Sequence, residues 1–186
     1  MAIHTLSVLV ENSPGVLARV AALFSRRGYN IDSLAVGPTE DPKISRMTIV
    51  LNLEGHALDQ VSAQLFKLIN VIGIQEMKPN ESYERELLMV KLAKKDAELS
   101  GIVAKYGAKI VEDGDTPIIE AVAESENLEA LLADLASYQV IELVQSGVIA
   151  LERGRITLSD RVRMETGLSN PEDPNRADAF TADYQN

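Results

Sequence analysis

Asn12, Ser13, Pro14 and Gly15 stand between an apolar run, Ile3 to Val10, and a segment with helical spacing. A strand, a polar turn and a helix start leave several backbone N–H groups without partners in one place. Such a place can hold the carboxylate of a small ligand. The carboxamide of Asn12 offers a donor and an acceptor to an α-amino acid, and it reads equally as an ordinary turn or cap residue. Pro14 suits the first turn, where its missing N–H is not needed. Gly15 is either a flexible turn residue or small because a ligand backbone must approach closely. Asn30, after Gly28-Tyr29, reads equally as a turn residue at a strand start.

Other chemistry finds little support. There is no cysteine, which removes disulfides, thiolate metal sites and cysteine nucleophiles together and fits a reducing compartment. His4 and His56 have no metal-ligand spacing around them and read as a buried strand histidine and a helix-start histidine. Ser13, Ser25 and Ser33 lack a nucleophile-elbow context, and Gly-x-Gly-x-x-Gly and Walker loops are absent. Arg26-Arg27 reads as a solvated helix end favoured by the helix dipole. Glu124, Glu126 and Glu129 read as a solvated face beside a helix N-terminus. The sequence therefore predicts no catalytic residue, no metal site and no cofactor in this chain.

The elements that position the turn follow from periodicity. The first half predicts strands over 2–10, 30–37, 45–53 and 71–77 and helices over 15–27 and 56–69. Val16, Val20, Leu23 and Phe24 share one face of the first helix, and Leu58, Val61, Leu65 and Leu68 one face of the second. Pro38 to Pro42 makes a turn between strands two and three. The order βαββαβ predicts a ferredoxin-like α+β unit, an antiparallel four-stranded sheet with both helices on one face. Pro79-Asn80-Glu81-Ser82 reads as linker. The second half repeats the plan, with strands over 85–93, 108–112, 117–123 and 139–152 and helices over 95–106 and 126–137. Asp113-Gly114-Asp115-Thr116 is its hairpin turn. The division is then 1–78, a linker at 79–84, 85–153, and a tail at 154–186. That tail is polar and proline-rich, read as mobile or ordered by a partner, with a short helix near 159–166 capped by Ser159 or Asp160. Small sheets with a bare face and two edges favour pairing with another chain.

Composition bounds the partners. Hydrophobic residues make up 46% and aromatics only 4%, so the core is built from Val, Ile, Leu and Ala. The net charge is −10. Residues 1–80 are neutral, with 7 basic and 7 acidic side chains, whereas residues 81–186 hold 11 against 21. Neither half offers a basic surplus for nucleic-acid phosphates. RNA-binding domains share the βαββαβ order, but strand three, Ser45 to Leu51, lacks the aromatics they stack on bases. No apolar run approaches the length of a membrane span, and no targeting signal is visible.

The stretch 11–34 resembles the ligand-binding segment of an ACT domain. More closely, the chain resembles the regulatory small subunit of acetohydroxyacid synthase (acetolactate synthase). The runs that carry the likeness are Arg27-Gly28-Tyr29-Asn30-Ile31 and Ser45-Arg46-Met47-Thr48-Ile49. The likeness covers roughly residues 1–153, is weaker in the second half and lapses in the tail. It implies effector-binding residues Asn12, Gly15, Val16, Leu17, Asn30 and Ile31. It implies a non-catalytic subunit, homodimeric through its ACT domains, that activates a catalytic large subunit carrying thiamine diphosphate, Mg²⁺ and FAD. It implies feedback inhibition by valine or another branched-chain amino acid, in the cytoplasm or in a plastid or mitochondrial compartment. The alternative is a free-standing ACT-domain amino-acid sensor acting on another enzyme or regulator.

Overall fold

The computed structural model describes residues 2–54 and 57–165. Residue contacts divide the chain into two units, 1–153 and 154–186.

The first unit opens with β1 (Ala2–Glu11), α1 (Val16–Arg26), β2 (Ser33–Pro38), β3 (Ile44–Leu53), α2 (Ala57–Leu65) and β4 (Val71–Met77). The sheet order is β2-β3-β1-β4, all neighbours antiparallel. Leu6, Val8 and Val10 of β1 and Met47, Ile49 and Leu51 of β3 face Val20 and Phe24 of α1 and Val61 and Leu65 of α2 in one core. Each such burial is worth about 1.5–3 kcal/mol. Gly28, at φ 70°, ends α1. The Tyr29 amide donates to the Phe24 carbonyl and the Gly28 amide to that of Ser25, which ties off the last turn.

The plan then repeats in β5 (Ser82–Leu92), α3 (Leu99–Lys105), β6 (Lys109–Glu112), β7 (Ile118–Ala123), α4 (Ser125–Leu135) and β8 (Val140–Gln145). The order β6-β7-β5-β8 copies that of the first sheet. Its core joins Leu88, Val90 and Leu92 to Leu99, Val103, Leu128, Leu131 and Leu135. The unit is therefore two ferredoxin-like α+β halves, as the element order predicts.

Several boundaries differ from the sequence reading. β2 begins at Ser33 rather than 30, because its pairing with β3 starts there and Asn30 instead bonds the Asp32 side chain. α2 gives way to tighter turns after Leu65, where Lys67 and Leu68 bond three residues back. β5 starts at Ser82, inside the stretch read as linker, because Ser82 to Arg85 pair with β9 (Ile149–Glu152). α3 starts at Leu99, not 95, since the Asp96 carboxylate accepts the amides of Glu98 and Leu99. The strand predicted over 139–152 is two strands, β8 and β9, broken at Ser146-Gly147-Val148.

That break gives the first sheet a cover. The face away from its helices carries Thr5, Ser7, Leu9, Thr48, Val50 and Met77, and all are buried. Val148 and Ala150 are buried against it. The Val148 amide donates to Ser33 Oγ at 2.8 Å, and Gln75 donates to Glu152 at 2.8 Å. The face expected to be bare is thus occupied by the chain's own returning strand.

In the second unit α5 spans Leu158–Glu165. Its cap is Thr157, not Ser159 or Asp160: Thr157 Oγ1 accepts the Asp160 amide, and Asp160 Oδ2 accepts the Thr157 amide. The part of the expected mobile or partner-ordered tail (154–186) that follows residue 165, and the reading of His56, lie outside the described residues. Among those described, no helix is long and apolar enough to cross a membrane.

Candidate functional site

Gly15 caps α1 in the left-handed region, at φ 85°. A side chain there would be strained, and the space where its Cβ would sit is open, with nothing within 4 Å. No side chain caps the helix, and its first turn holds no acidic residue. The amides of Leu17 and Ala18 have no acceptor among the described residues. The helix start thus presents donors and a positive dipole end toward open space, an arrangement that suits an anion.

Asn12 does not act as the cap. Its amide accepts nothing from the helix; Nδ2 donates to the Pro42 carbonyl at 2.9 Å, and its backbone N–H donates to the Lys43 carbonyl at 2.7 Å. The β2–β3 turn therefore fixes Asn12 and leaves its side-chain oxygen as an acceptor. Val16 is buried in the core, so it can offer a ligand only backbone, whereas Leu17 is 44% exposed beside the turn.

Asn30 and Ile31 lie elsewhere. β2 runs parallel to β1, with Ser33 level with Val50 and Thr5 and Pro38 level with Ser45 and Val10. The Asp32 amide bonds the Val50 carbonyl. Asn30 and Ile31 are therefore at the start of β1, and Asn12 and Gly15 follow its end. The six residue steps from Thr5 to Glu11 span about 20 Å. One chain does not bring the two halves of the predicted set around one amino acid. Asn30 donates to the Asp32 carboxylate at 2.6 Å, and Ile31 is half-buried against the first core.

The sequence reading missed the groups that brace the turn. Asn70, nearly buried just before β4, accepts from Arg19 Nη1 at 2.6 Å and donates to Glu11 Oε2 at 2.5 Å. The Glu11 amide also donates to the Asn70 carbonyl at 2.9 Å, and the Arg19 amide to that of Gly15 at 3.0 Å. One carboxamide so ties the residue before the turn to the first turn of α1. No local pattern announces it, because Asn70 lies 51 residues from Arg19.

The remaining candidates keep structural roles. His4 bonds Glu76 across β1 and β4 at 2.7 Å. Glu124 pairs with Arg85 at 3.0 Å. Buried Glu86 bonds Ser125 and Gln145 inside the second half. Asp96 accepts from Tyr138 at 2.8 Å, which holds its carboxyl below the usual range; burial and that bond push the Tyr138 hydroxyl up to about 12. Among the described residues, no cluster of three or more His, Asp or Glu side chains is placed to hold a metal ion.

Comparison with known proteins covers both halves. The family described as the AHAS small subunit-like ACT domain matches residues 6–73. The family described as the small subunit of acetolactate synthase matches residues 85–154. The acetolactate synthase small subunit of Mycolicibacterium smegmatis is 50% identical over 156 residues, 81% of this chain and 91% of that protein. The probable acetolactate synthase small subunit of Methanothermobacter thermautotrophicus is 40% identical over 160 residues, 83% and 95% of the two chains. Among solved structures, the acetolactate synthase small subunit from Thermotoga maritima superposes with a TM-score of 0.78 at 32% identity, covering 84% of this chain and all of that one.

Proposed function

The chain belongs to the family of acetolactate synthase small subunits, and from that premise we propose that it regulates a catalytic large subunit by binding a branched-chain amino acid, valine foremost, at the turn before α1. The observation that carries the reading is the left-handed Gly15 with open space over it and free amides behind it. The ligand carboxylate meets those amides. The ammonium meets the Asn12 side-chain oxygen, and the branched side chain packs on Leu17 and Ile31.

The separation of the two halves of the set supports a shared site. β2 is an edge strand, so two copies can join edge to edge about a two-fold axis. Antiparallel pairing sets the Ser33 end of one copy beside the Pro38 end of the other. Asn30 and Ile31 of one copy then approach Asn12 and Gly15 of its partner, twice per dimer. A ligand between two protomers can bias their relative placement, which inhibition at a distance requires. The catalytic partner carries the thiamine diphosphate, Mg²⁺ and FAD; this chain contributes no reacting group.

The test mixes the purified chain with its catalytic subunit. The mixture is expected to form acetolactate faster than the catalytic subunit alone and to slow when valine is added. Leucine and isoleucine differ from valine by a single methylene, worth only about 1–3 kcal/mol, and are the controls. A sensor of some other system would change neither rate. Turnover by this chain alone, freed of its partner, would overturn the reading.

A further inference from the structure

A cavity lies on the face of the first sheet away from its helices, under β9. It measures about 170 Å³ and is lined by Ala35, Gly37, Arg46 and Thr48 of the sheet and Ile149 and Ala150 of β9, with Val36 and Pro38 at the strand edge. Across the strands, Ala35 stands opposite Thr48 and Gly37 opposite Arg46, so these four side-chain positions share one face. Arg46 has no ion-pair or hydrogen-bond partner for its side chain among the described residues, and neither has the hydroxyl of Thr48, which is 3% exposed. In the same cross-strand row, the Ser7 hydroxyl and the Gln75 side-chain oxygen are buried without partners, though neither residue lines the cavity. The half-exposed guanidinium of Arg46 and the Thr48 hydroxyl both border the cavity as donors without an acceptor, and together they mark a place that can receive one.

We propose that this cavity binds a short monocarboxylate without an ammonium group, such as a small 2-oxo acid. Arg46 pairs with the carboxylate through two parallel N–H donors. The Thr48 hydroxyl donates to a second ligand oxygen. Ala35, Ile149 and Ala150 enclose a short apolar end. One cation balances one charge, which disfavours dicarboxylates. No carboxylate lines the cavity to receive an ammonium, which separates this ligand from the amino-acid effector. The volume is well below that of pockets for drug-sized ligands, about 300–1,000 Å³, and admits only a few heavy atoms. A ligand here would touch both the first sheet and the strand returning from the second half.

The test titrates the full chain, with methyl groups labelled, with pyruvate, isobutyrate and uncharged isobutyramide. Shifts at the methyls of Ala35, Ile149 and Ala150 that saturate at about millimolar pyruvate or isobutyrate, with isobutyramide silent, are the expected result for ligands of this size. Arg46→Gln is expected to weaken binding by about tenfold or more, equivalent to about 1.4 kcal/mol, while valine binding stays within twofold. Thr48→Val is expected to weaken pyruvate more than isobutyrate, which has no keto oxygen. No saturation, equal response to isobutyramide, or undiminished binding by a folded Arg46→Gln variant would each overturn the assignment. The methyl shifts in the unaltered chain decide the matter even if Arg46→Gln fails to fold.

Discussion

Gly147→Ala is predicted to unseat the returning strand from the first sheet. A Cβ at Gly147 would stand 2.5 Å from the Leu34 carbonyl oxygen, 2.6 Å from its carbon and 3.0 Å from the Ala35 nitrogen. All three are backbone atoms, so no side chain can swing aside. Ordinary contact begins at 3.4 Å, and the two backbones must part by about 0.9 Å. That movement stretches the Val148 amide bond to Ser33 Oγ, now 2.8 Å, and loosens Val148 and Ala150 over the sheet. Overpacking of this kind costs about 1–3 kcal/mol. For a unit of this size it lowers the melting temperature by roughly 2–12 °C. Gly101→Ala is the control. Gly101 lies in α3 with nothing within 4 Å of a new Cβ, so alanine there is expected to stabilise by about 0.5–1 kcal/mol. Circular dichroism melts and urea titrations of both variants decide. A Gly147→Ala protein that unfolds with the unaltered chain would refute the close approach of the two halves.

Other consequences are as direct. Asn70→Ala should free the turn from α1, costing about 0.5–1.5 kcal/mol for hydrogen bonds to the exposed Arg19 and half-buried Glu11 and weakening valine inhibition, read by melting and by inhibition curves. Asn12→Ala and Asn30→Ala should each raise the inhibitory valine concentration by roughly tenfold to a hundredfold, with activation of the catalytic subunit retained. Asp96 has a depressed folded-state pKa, so its stabilisation is complete above the unfolded carboxylate value, near 3.9, and is lost as pH falls through the lower folded value. Tyr138→Phe, which removes the largest cause of that depression, should flatten the loss of stability between pH 5 and 3 in urea titrations. Sedimentation should show self-association at micromolar protein; a 20.3 kDa monomer with and without valine would contradict the shared site.

The repeat of βαββαβ was legible because its signals are local. The stripe Val16, Val20, Leu23, Phe24 fixes one helix face, Gly28 its end, and Asp113-Gly114 a hairpin. The turn at Asn12–Gly15 was legible for the same reason, since it sits where a strand must become a helix. What the sequence hid was tertiary. The run 139–152 reads as one strand, and nothing local says that Gly147 must pass within contact of Leu34. Asn70 is an ordinary turn residue until the fold sets it between Glu11 and Arg19. Asn12 and Asn30 look like neighbours in a motif, yet β1 stands between them, because the chain crosses the whole helix before reaching β2.

Subunit mixing tests the central claim most directly. Asn12→Ala and Asn30→Ala chains, each carrying a different affinity tag and each binding valine about tenfold to a hundredfold more weakly as a homodimer, are co-expressed and the mixed dimer isolated. If each site takes Asn12 from one copy and Asn30 from the other, one site of the mixed dimer holds both lesions and the other holds neither. Calorimetry is then predicted to find about one valine per mixed dimer, bound with the affinity of the unaltered protein. A mixed dimer in which no site keeps the affinity of the unaltered protein, both binding valine only as weakly as the single-variant homodimers, would contradict the shared site and the mode of regulation built on it.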